Sequence, residues 1–562
     1  MAEGGPGIRA LRGWIARVLA PDARFVRLAV VYGVAISLLS LATPISVQLL
    51  INSVANTALP APLFTLSAVL FVLLLVAGVL AAFRIHLLAL FERRLFARIV
   101  AEITVRAVHA QNPFFGDARR GDLFNRYFDL ATVQKALSSL LIGGFTIVLQ
   151  GAVGLVVTSF YHPFFLAFNA VLVLVLFAIW QLWAPGAIRT AVAKSHAKHA
   201  AAHWLESVGG SNGFYQSHRH LDYAMDRSEA MTAAYVGAHR RHFRYTFAQT
   251  LCLLLTYALA SAALLAMGGW LILQGQLSMG QLVAAELILS GVFYGIAQLG
   301  PYLEALYDLA AGLEELSLFW DIPQQDARRT GEGPGDGAIR LQNVVLGGHR
   351  FELEVASGEQ LAVAGAPDAE HALTLLLKRH AAPERGLVLV GGRDIASLDM
   401  YRLRADVMVL NRPGFVEMSV RDYLTLAASG ETGRMIAVLE TVGLAPRIAA
   451  LPGGLDTVVA SPGWPFSVGE LMALKLAAAL LARPRVLVLS PLFDLLPPAR
   501  IDAALAALRA SGTTVLQFTR RPGGMVRDGY LWLAGDGQRR CADEAELSAR
   551  AHDAGGAHVL AA

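Results

Sequence analysis

The chain carries two kinds of patterning. Up to Leu309 its charged residues come in blocks separated by long apolar stretches, whereas beyond Asp321 charged and apolar residues mix as they do in a water-soluble domain. Crossing the hydrocarbon core of a bilayer takes about 20 predominantly apolar residues, because a helix rises about 1.5 Å per residue and the core is about 30 Å thick. Six stretches meet that requirement, at approximately 28–51, 63–83, 137–160, 164–183, 247–273 and 282–303. Five contain no Asp, Glu, Lys or Arg; the sixth holds Glu286 and is followed directly by Glu304. The connections at about 84–136 and 184–246 are helical in pattern, so the flanking spans are expected to continue as long helices beyond the membrane.

After residue 337 short β-rich runs alternate with helical ones, which predicts an α/β domain with a mainly parallel sheet. Strands are expected at 360–364, 486–489 and 514–518, and ligands of such sheets sit where strands end and helices begin. The expected fold is therefore an all-α polytopic membrane domain of six transmembrane helices (1–325), a Gly- and Asp-containing linker (326–337), an α/β domain (338–540) and a loosely ordered tail (541–562).

Composition agrees with a membrane portion: 55% of the residues are hydrophobic and 16% charged, against roughly a quarter charged in a soluble domain. The basic residues flank the apolar stretches, with Arg84, Arg93, Arg94, Arg98, Arg119, Arg120, Arg189, Lys194, Lys198, Arg240, Arg241 and Arg244 in the two long connections and no Lys or Arg in the short ones. The positive-inside rule then puts both termini and both long connections in the cytoplasm of a multi-pass cell-membrane protein. The net charge of +4 is thus a matter of membrane orientation and not of nucleic-acid binding. Cys252 and Cys541 form no disulfide framework or metal spacing. Residues 1–25, with Arg9, Arg12, Arg17 and Arg24, do not read as a removable signal peptide.

Several strings in the first half carry a resemblance. They are Ala42-Thr43-Pro44, then Pro113-Phe114-Phe115 with Gly121-Asp122-Leu123 and Arg126, then Gly275-Gln276-Leu277-Ser278-Met279-Gly280-Gln281-Leu282-Val283. In this order they resemble the transmembrane domain of ATP-binding-cassette (ABC) exporters of the bacterial toxin- and protein-secretion kind, type I exporters, over residues 25 to about 320. The resemblance implies a coupling helix within each long connection; 208–215 is the candidate for the second, though its Gly209-Gly210 pair fits an ordinary turn equally well.

The resemblance extends to the α/β domain, where the motif positions have changed. A Walker A loop, G-x-x-G-x-G-K-[ST], wraps phosphates with backbone N–H groups, reaches them with Lys and holds Mg²⁺ with Ser/Thr. At that place this chain reads Gly365-Ala366-Pro367-Asp368-Ala369-Glu370-His371-Ala372. Gly365 remains, Asp368 and Glu370 replace the later glycines, His371 replaces the Lys, and Ala372 the magnesium ligand. A like charge at 4 Å costs about 4 kcal/mol at an effective dielectric near 20, so two carboxylates facing a triphosphate would reject it. By the same register Asn411 stands for the family's magnesium- and water-contacting Gln, and Ser467 and Gly469 belong to the counterpart of the LSGGQ signature. Ser490 stands for the magnesium-binding Asp of Walker B, Pro491 for the catalytic Glu and Arg520 for the switch His. Pro491 has no side chain able to deprotonate a water. No G-x-x-x-x-G-K-[ST] occurs elsewhere in the chain.

The implied function is transport by the degenerate half of an ABC exporter, without ATPase activity of its own, in the bilayer beside a catalytically intact half-transporter and other secretion-system components. No cofactor is expected at its own P-loop; ATP and Mg²⁺ are expected only at a composite site with the partner, where Ser467 and Gly469 could touch the partner's nucleotide and Glu470 would oppose it. The alternatives are a membrane scaffold or regulator that no longer transports, and an ordinary ATP-driven exporter. Glu286 is either a group on a substrate path or a carboxylate near interfacial water. His196, His199 and His203 share one helix face and are read as solvated, with no metal site expected.

Overall fold

The structure, a computed structural model, describes residues 8–57, 61–111, 118–325, 332–428, 432–534 and 537–559. Two compact units divide the chain: the first ends at Gln324, and the second comprises Gln111 and the residues from Gln325 onward. The Pro113-Phe114-Phe115 string lies outside the described residues, as do 326–331 of the expected linker.

The first unit is helical. Its helices are α1 (Ile8–Leu19), α2 (Ala23–Leu39), α3 (Ala42–Thr57), α4 (Ala61–Val108), α5 (Asp129–Ser139), α6 (Phe145–Ser159), α7 (Pro163–Gly210), α8 (His218–Leu273), α9 (Met279–Ala297) and α10 (Leu299–Trp320). Among the described residues six helical stretches are long and apolar enough to cross a membrane: Ala10–Ile51, Leu63–Val108, Leu123–Ser159, Pro163–Gly210, His218–Leu273 and Met279–Ala297. Large apolar side chains such as Phe71, Leu75, Phe177, Leu182, Leu259 and Leu265 stand exposed on them, a surface suited to lipid.

Local chemistry explains where these helices break. The first span divides at Ser40 and Leu41, and Pro44 sits in the first turn of α3, where its missing N–H costs little. The string from Gly275 to Val283 is a helix stop followed by a helix start. Gly275 takes φ +68° after α8, and Ser278 caps α9 by accepting from Gln281 N at 3.1 Å, while Gln281 Oε1 accepts from Ser278 N at 3.0 Å. The expected stretch 282–303 is divided at Gln298 between α9 and α10. The coupling-helix candidate 208–215 is divided between the end of α7 at Gly210 and a short 3-10 turn, Asn212–Gln216, that leads to α8.

One sequence expectation fails here. His203 is exposed, but His199 is buried and its Nε2 lies 2.6 Å from Asp129 Oδ2. The solvated reading holds for His196 and His203 and fails at His199, which carboxylates distant in sequence, on α5 and α10, face.

The second unit contains β1 (Ile339–Leu346), β2 (His349–Val355), β3 (Gln360–Gly365), β4 (Arg385–Val390), β5 (Arg393–Asp394), β6 (Val407–Leu410), β7 (Met418–Ser419), β8 (Val458–Val459), β9 (Val486–Leu489), β10 (Thr514–Phe518), β11 (Gly529–Leu533) and β12 (Gln538–Cys541). The helices are α11 (Pro367–Leu377), α12 (Met400–Asp406), α13 (Val420–Ala427), α14 (Thr432–Thr441), α15 (Ala445–Ala449), α16 (Val468–Ala482), α17 (Pro498–Ala510) and α18 (Glu544–Val559). An antiparallel sheet has the order β2-β1-β4-β5, a larger one β12-β11-β3-β10-β9-β6, and β7 pairs with β8. In the larger sheet all neighbours are parallel except β12. Its inner strands β9 and β10 are buried along their whole length, as parallel strands covered on both faces must be.

Residues 332–337, expected as linker, are tied to this unit: Asp399 N donates to Glu332 O at 2.9 Å and Gly337 N to Ser357 Oγ at 3.2 Å. The expected loose tail is corrected as well. Cys541 closes β12, and residues 544–559 form α18, whose Leu547 is fully buried in a cluster with Ala362, Ala364 and Cys541. Leu547 and Ala551 lie one turn apart, so even an Ala- and Gly-rich segment presents an apolar edge to the sheet.

Candidate functional site

The register of the larger sheet brings distant motif positions to one edge. Val363 pairs with Phe518, Gln517 with Leu489, and Leu489 with Leu410, so β3, β10, β9 and β6 end at nearly the same level. The residues that follow each strand therefore converge. They line a cavity of about 490 Å³ formed by Glu370, His371, Thr374, Asn411, Arg412, Ser490, Pro491, Leu492, Leu495 and Arg520. Six sequence-selected residues meet there: Glu370, His371, Asn411, Ser490, Pro491 and Arg520. Gly365, Asp368, Ala372, Ser467 and Gly469 are not on its wall.

Between β3 and α11 there is no open loop. Helix α11 begins at Pro367, with only Ala366 between it and the strand, and the N–H groups of Ala369 and Glu370 both donate to Ala366 O, at 3.1 and 3.2 Å. Amides that a P-loop would turn toward phosphate are used here to close a helical turn. Gly365 persists for a different reason: a Cβ at this position would fall 2.2 Å from Leu533 O, because β11 runs close alongside β3.

The electrostatics differ from the expectation. Asp368 is exposed and outside the cavity, so one P-loop carboxylate faces it and not two. Burial pushes Glu370 up to about 7; the Arg520 charge pulls it down, and Asp494 pushes it further up. Asp494 is itself raised by burial, while its Oδ2 accepts from Arg520 N at 2.9 Å. Arg412 and Arg520 add positive charge to the wall. The loop 411–414 is held by Lys475, whose Nζ donates to Arg412 O and Gly414 O, both at 2.6 Å.

Lys378 was not selected from the sequence. Its Nζ lies 3.5 Å from Asn411 Oδ1, and burial, with Arg412, Arg404 and Lys475 nearby, lowers it to about 8. Its place seven residues after His371, on the same helical face, is the signal that would have found it. The donor set does not fit Mg-nucleotide: Ala372 offers no oxygen, and the buried Ser490 hydroxyl accepts from Leu492 N at 3.4 Å as the cap of the turn Pro491–Leu495.

The signature counterpart is locally saturated. Ser467 caps α16 in a capping box, with Ser467 N donating to Glu470 Oε2 at 2.8 Å and Glu470 N to Ser467 Oγ at 3.3 Å. Arg447 Nε lies 3.3 Å from the other Glu470 oxygen. Both Glu470 oxygens thus have partners in their own chain.

Comparison with known proteins places this architecture. The family described as "ABC transporter transmembrane region" matches residues 26–296. The chain is 24% identical over 471 residues to an ATP-dependent lipid A-core flippase of Burkholderia orbicola (strain AU 1054), covering 79% of this chain and 77% of the flippase. It is 22% identical over 476 residues to the leukotoxin translocation ATP-binding protein LktB of Mannheimia glucosida, covering 81% of this chain and 66% of that protein. The match to LtxB, a leukotoxin export ATP-binding protein of Aggregatibacter actinomycetemcomitans, is 26% identical and spans 40% of this chain and 33% of LtxB. A solved bacterial Atm1-family ABC exporter with ATP bound superposes with TM-score 0.78 at 19% identity, covering 94% of this chain and 97% of the exporter. Residues 26–296 thus match the ABC transporter transmembrane region, the chain has the fold of that ABC exporter, and it is homologous in sequence to a lipid A-core flippase and to leukotoxin exporters.

Proposed function

We propose that this chain is the degenerate half of an ABC exporter, supplying six spans and a nucleotide-domain framework to a partner half-transporter that binds and hydrolyses ATP. The carrying observation is the helix that starts at Pro367, in the stretch where a P-loop must be open, with His371 in the place of the Lys. Pro491 in the place of the general base points the same way. A heterodimer is favoured over a homodimer, since two copies of this chain would bring together two such sites. ATP and Mg²⁺ would then sit only against the partner's P-loop, facing Ser467 and Gly469. The binding of both Glu470 oxygens within its own chain lowers the charge objection to that contact.

The names of the relatives support outward transport of a lipid or a polypeptide, and the Lys and Arg distribution supports cytoplasmic termini. The test is ATP hydrolysis by the purified full chain, alone and with candidate half-transporters, alongside nucleotide binding to the full chain. The expected outcome is no turnover and no binding alone, and turnover with a partner. Hydrolysis by the chain alone would restore the ordinary exporter reading. Complex formation without any effect on the partner's hydrolysis or transport would favour the scaffold.

A further inference from the structure

The first unit buries a cluster of metal-type donors that the reading above does not use. Asp129 on α5, His199 on α7 and Glu315 on α10 are 2%, 5% and 0% exposed, and one donor atom from each lies within 4.8 Å of the others. The two carboxylates are held in the same way. Lys198 binds Asp129 Oδ1 and Arg126 binds Glu315 Oε2, which leaves Asp129 Oδ2 and Glu315 Oε1 facing His199 Nε2, at 2.6 and 4.0 Å. Glu315 Oε1 is buried and accepts no hydrogen bond among the described residues. A carboxylate oxygen in that condition is costly, because burial removes its water and nothing replaces it. One turn away, His196 Nε2 lies 3.8 Å from the same oxygen and 3.0 Å from Glu314 Oε2. A small cavity of about 50 Å³ borders the cluster at Asp129 and Lys198.

We infer that Asp129, His199 and Glu315 form a three-residue binding site for a divalent first-row transition metal such as Zn²⁺, with the fourth position left to water. Mixed imidazole and carboxylate donors suit that class better than Mg²⁺ or Ca²⁺, which take oxygen alone. Zinc with bonds of about 2.0–2.2 Å places its donors about 3.3 Å apart. The 2.6 Å pair must therefore open and the 4.0 Å pair close, each by less than about 1 Å. Arg126 and Lys198 keep the far carboxylate oxygens and orient the near ones, as outer partners do at metal sites. They also neutralise the two carboxylates, so the site is built for moderate affinity. Bound metal would tie α5, α7 and α10 together at one point.

The experiment is isothermal titration of ZnCl₂ into the full chain, purified without a polyhistidine tag, with visible absorption of added CoCl₂ as a second readout. Wild type is expected to bind one saturable zinc equivalent that His199→Gln and Glu315→Gln lose, and to show a cobalt band that both variants lose. His203→Gln, at an exposed position on the same helix, should keep both. If removal of the buried Glu315 charge unfolds the chain, His199→Gln, which keeps a polar side chain of similar reach, decides alone. An unchanged zinc stoichiometry and cobalt band in His199→Gln would overturn the site, as would a wild type that binds neither metal.

Discussion

Glu370→Gln changes the charge of the cavity while keeping its shape, and its effect should depend on pH with a defined sign. The carboxyl ordinarily titrates at 4.5 and is raised to about 7 in the folded protein, chiefly by burial. Folding therefore favours the neutral form. The stability this contributes is complete below about pH 4.5, falls as pH rises through about 7, and stays lost above that. The displacement corresponds to about 3 kcal/mol, which partial contact of the side chain with solvent reduces to about 1–2 kcal/mol. Glutamine cannot ionise, so the substitution should leave stability near pH 5 unchanged within about 0.5 kcal/mol and raise it by about 1–2 kcal/mol at pH 8. In a domain of this size that is roughly 3–6 °C in melting temperature. The assay is thermal unfolding of the full chain in detergent at pH 5 and pH 8, with hydrogen exchange at β3 and β10 to assign the change to the second unit. An equal shift at both pH values, or destabilisation at pH 8, would refute the placement of Glu370 in a desolvated cavity.

Gly365→Ala should destabilise the second unit by about 1–3 kcal/mol, since the new Cβ meets the Leu533 carbonyl and not a flexible side chain; hydrogen exchange of β3 and β11 reads the loss. Pro491→Glu should leave phosphate release by the full chain at background, because a general base alone supplies neither an open loop nor a magnesium ligand. Asp22 is fully buried with Arg94 Nε at 2.6 Å and Arg98 Nε at 3.1 Å, so Asp22→Asn should lower the stability of the first unit by about 2 kcal/mol, measured as a lower melting temperature in detergent. Phe493→Ala, which empties a fully buried site beneath the turn after β9, should cost the second unit about 3–5 kcal/mol by the same measurement.

The six candidate spans were legible as long helices because membrane crossing is a one-dimensional requirement, enough apolar residues in a row, although the break of the sixth stretch at Gln298 was not. Strands β9 and β10 were legible because a buried parallel strand is a short apolar run between turns, and 486–489 and 514–518 stand at the expected positions. Partners distant along the chain were not legible. His199 shows only its helix periodicity, while what covers it arrives from Asp129 and Glu315, 70 and 116 residues away. The tail failed for a related reason, since Leu547 among Ala and Gly gains its meaning from Ala362 and Ala364 beneath it.

At the cavity, motif register identified the residues and geometry reassigned their roles. The lost glycines predicted two carboxylates against phosphate, but a helix starting at Pro367 turns Asp368 outward and leaves Glu370 alone on the wall. Positive charge meanwhile stays in the region through Arg412, Arg520 and Lys378, none of which occupies a P-loop position. Repulsion is therefore a weaker objection to ATP than the sequence suggests, and the missing cradle of backbone amides a stronger one. Neutralising Glu370 separates the two: if charge alone excluded nucleotide, Glu370→Gln would admit ATP at pH 8, whereas a cavity without free amides should still refuse it.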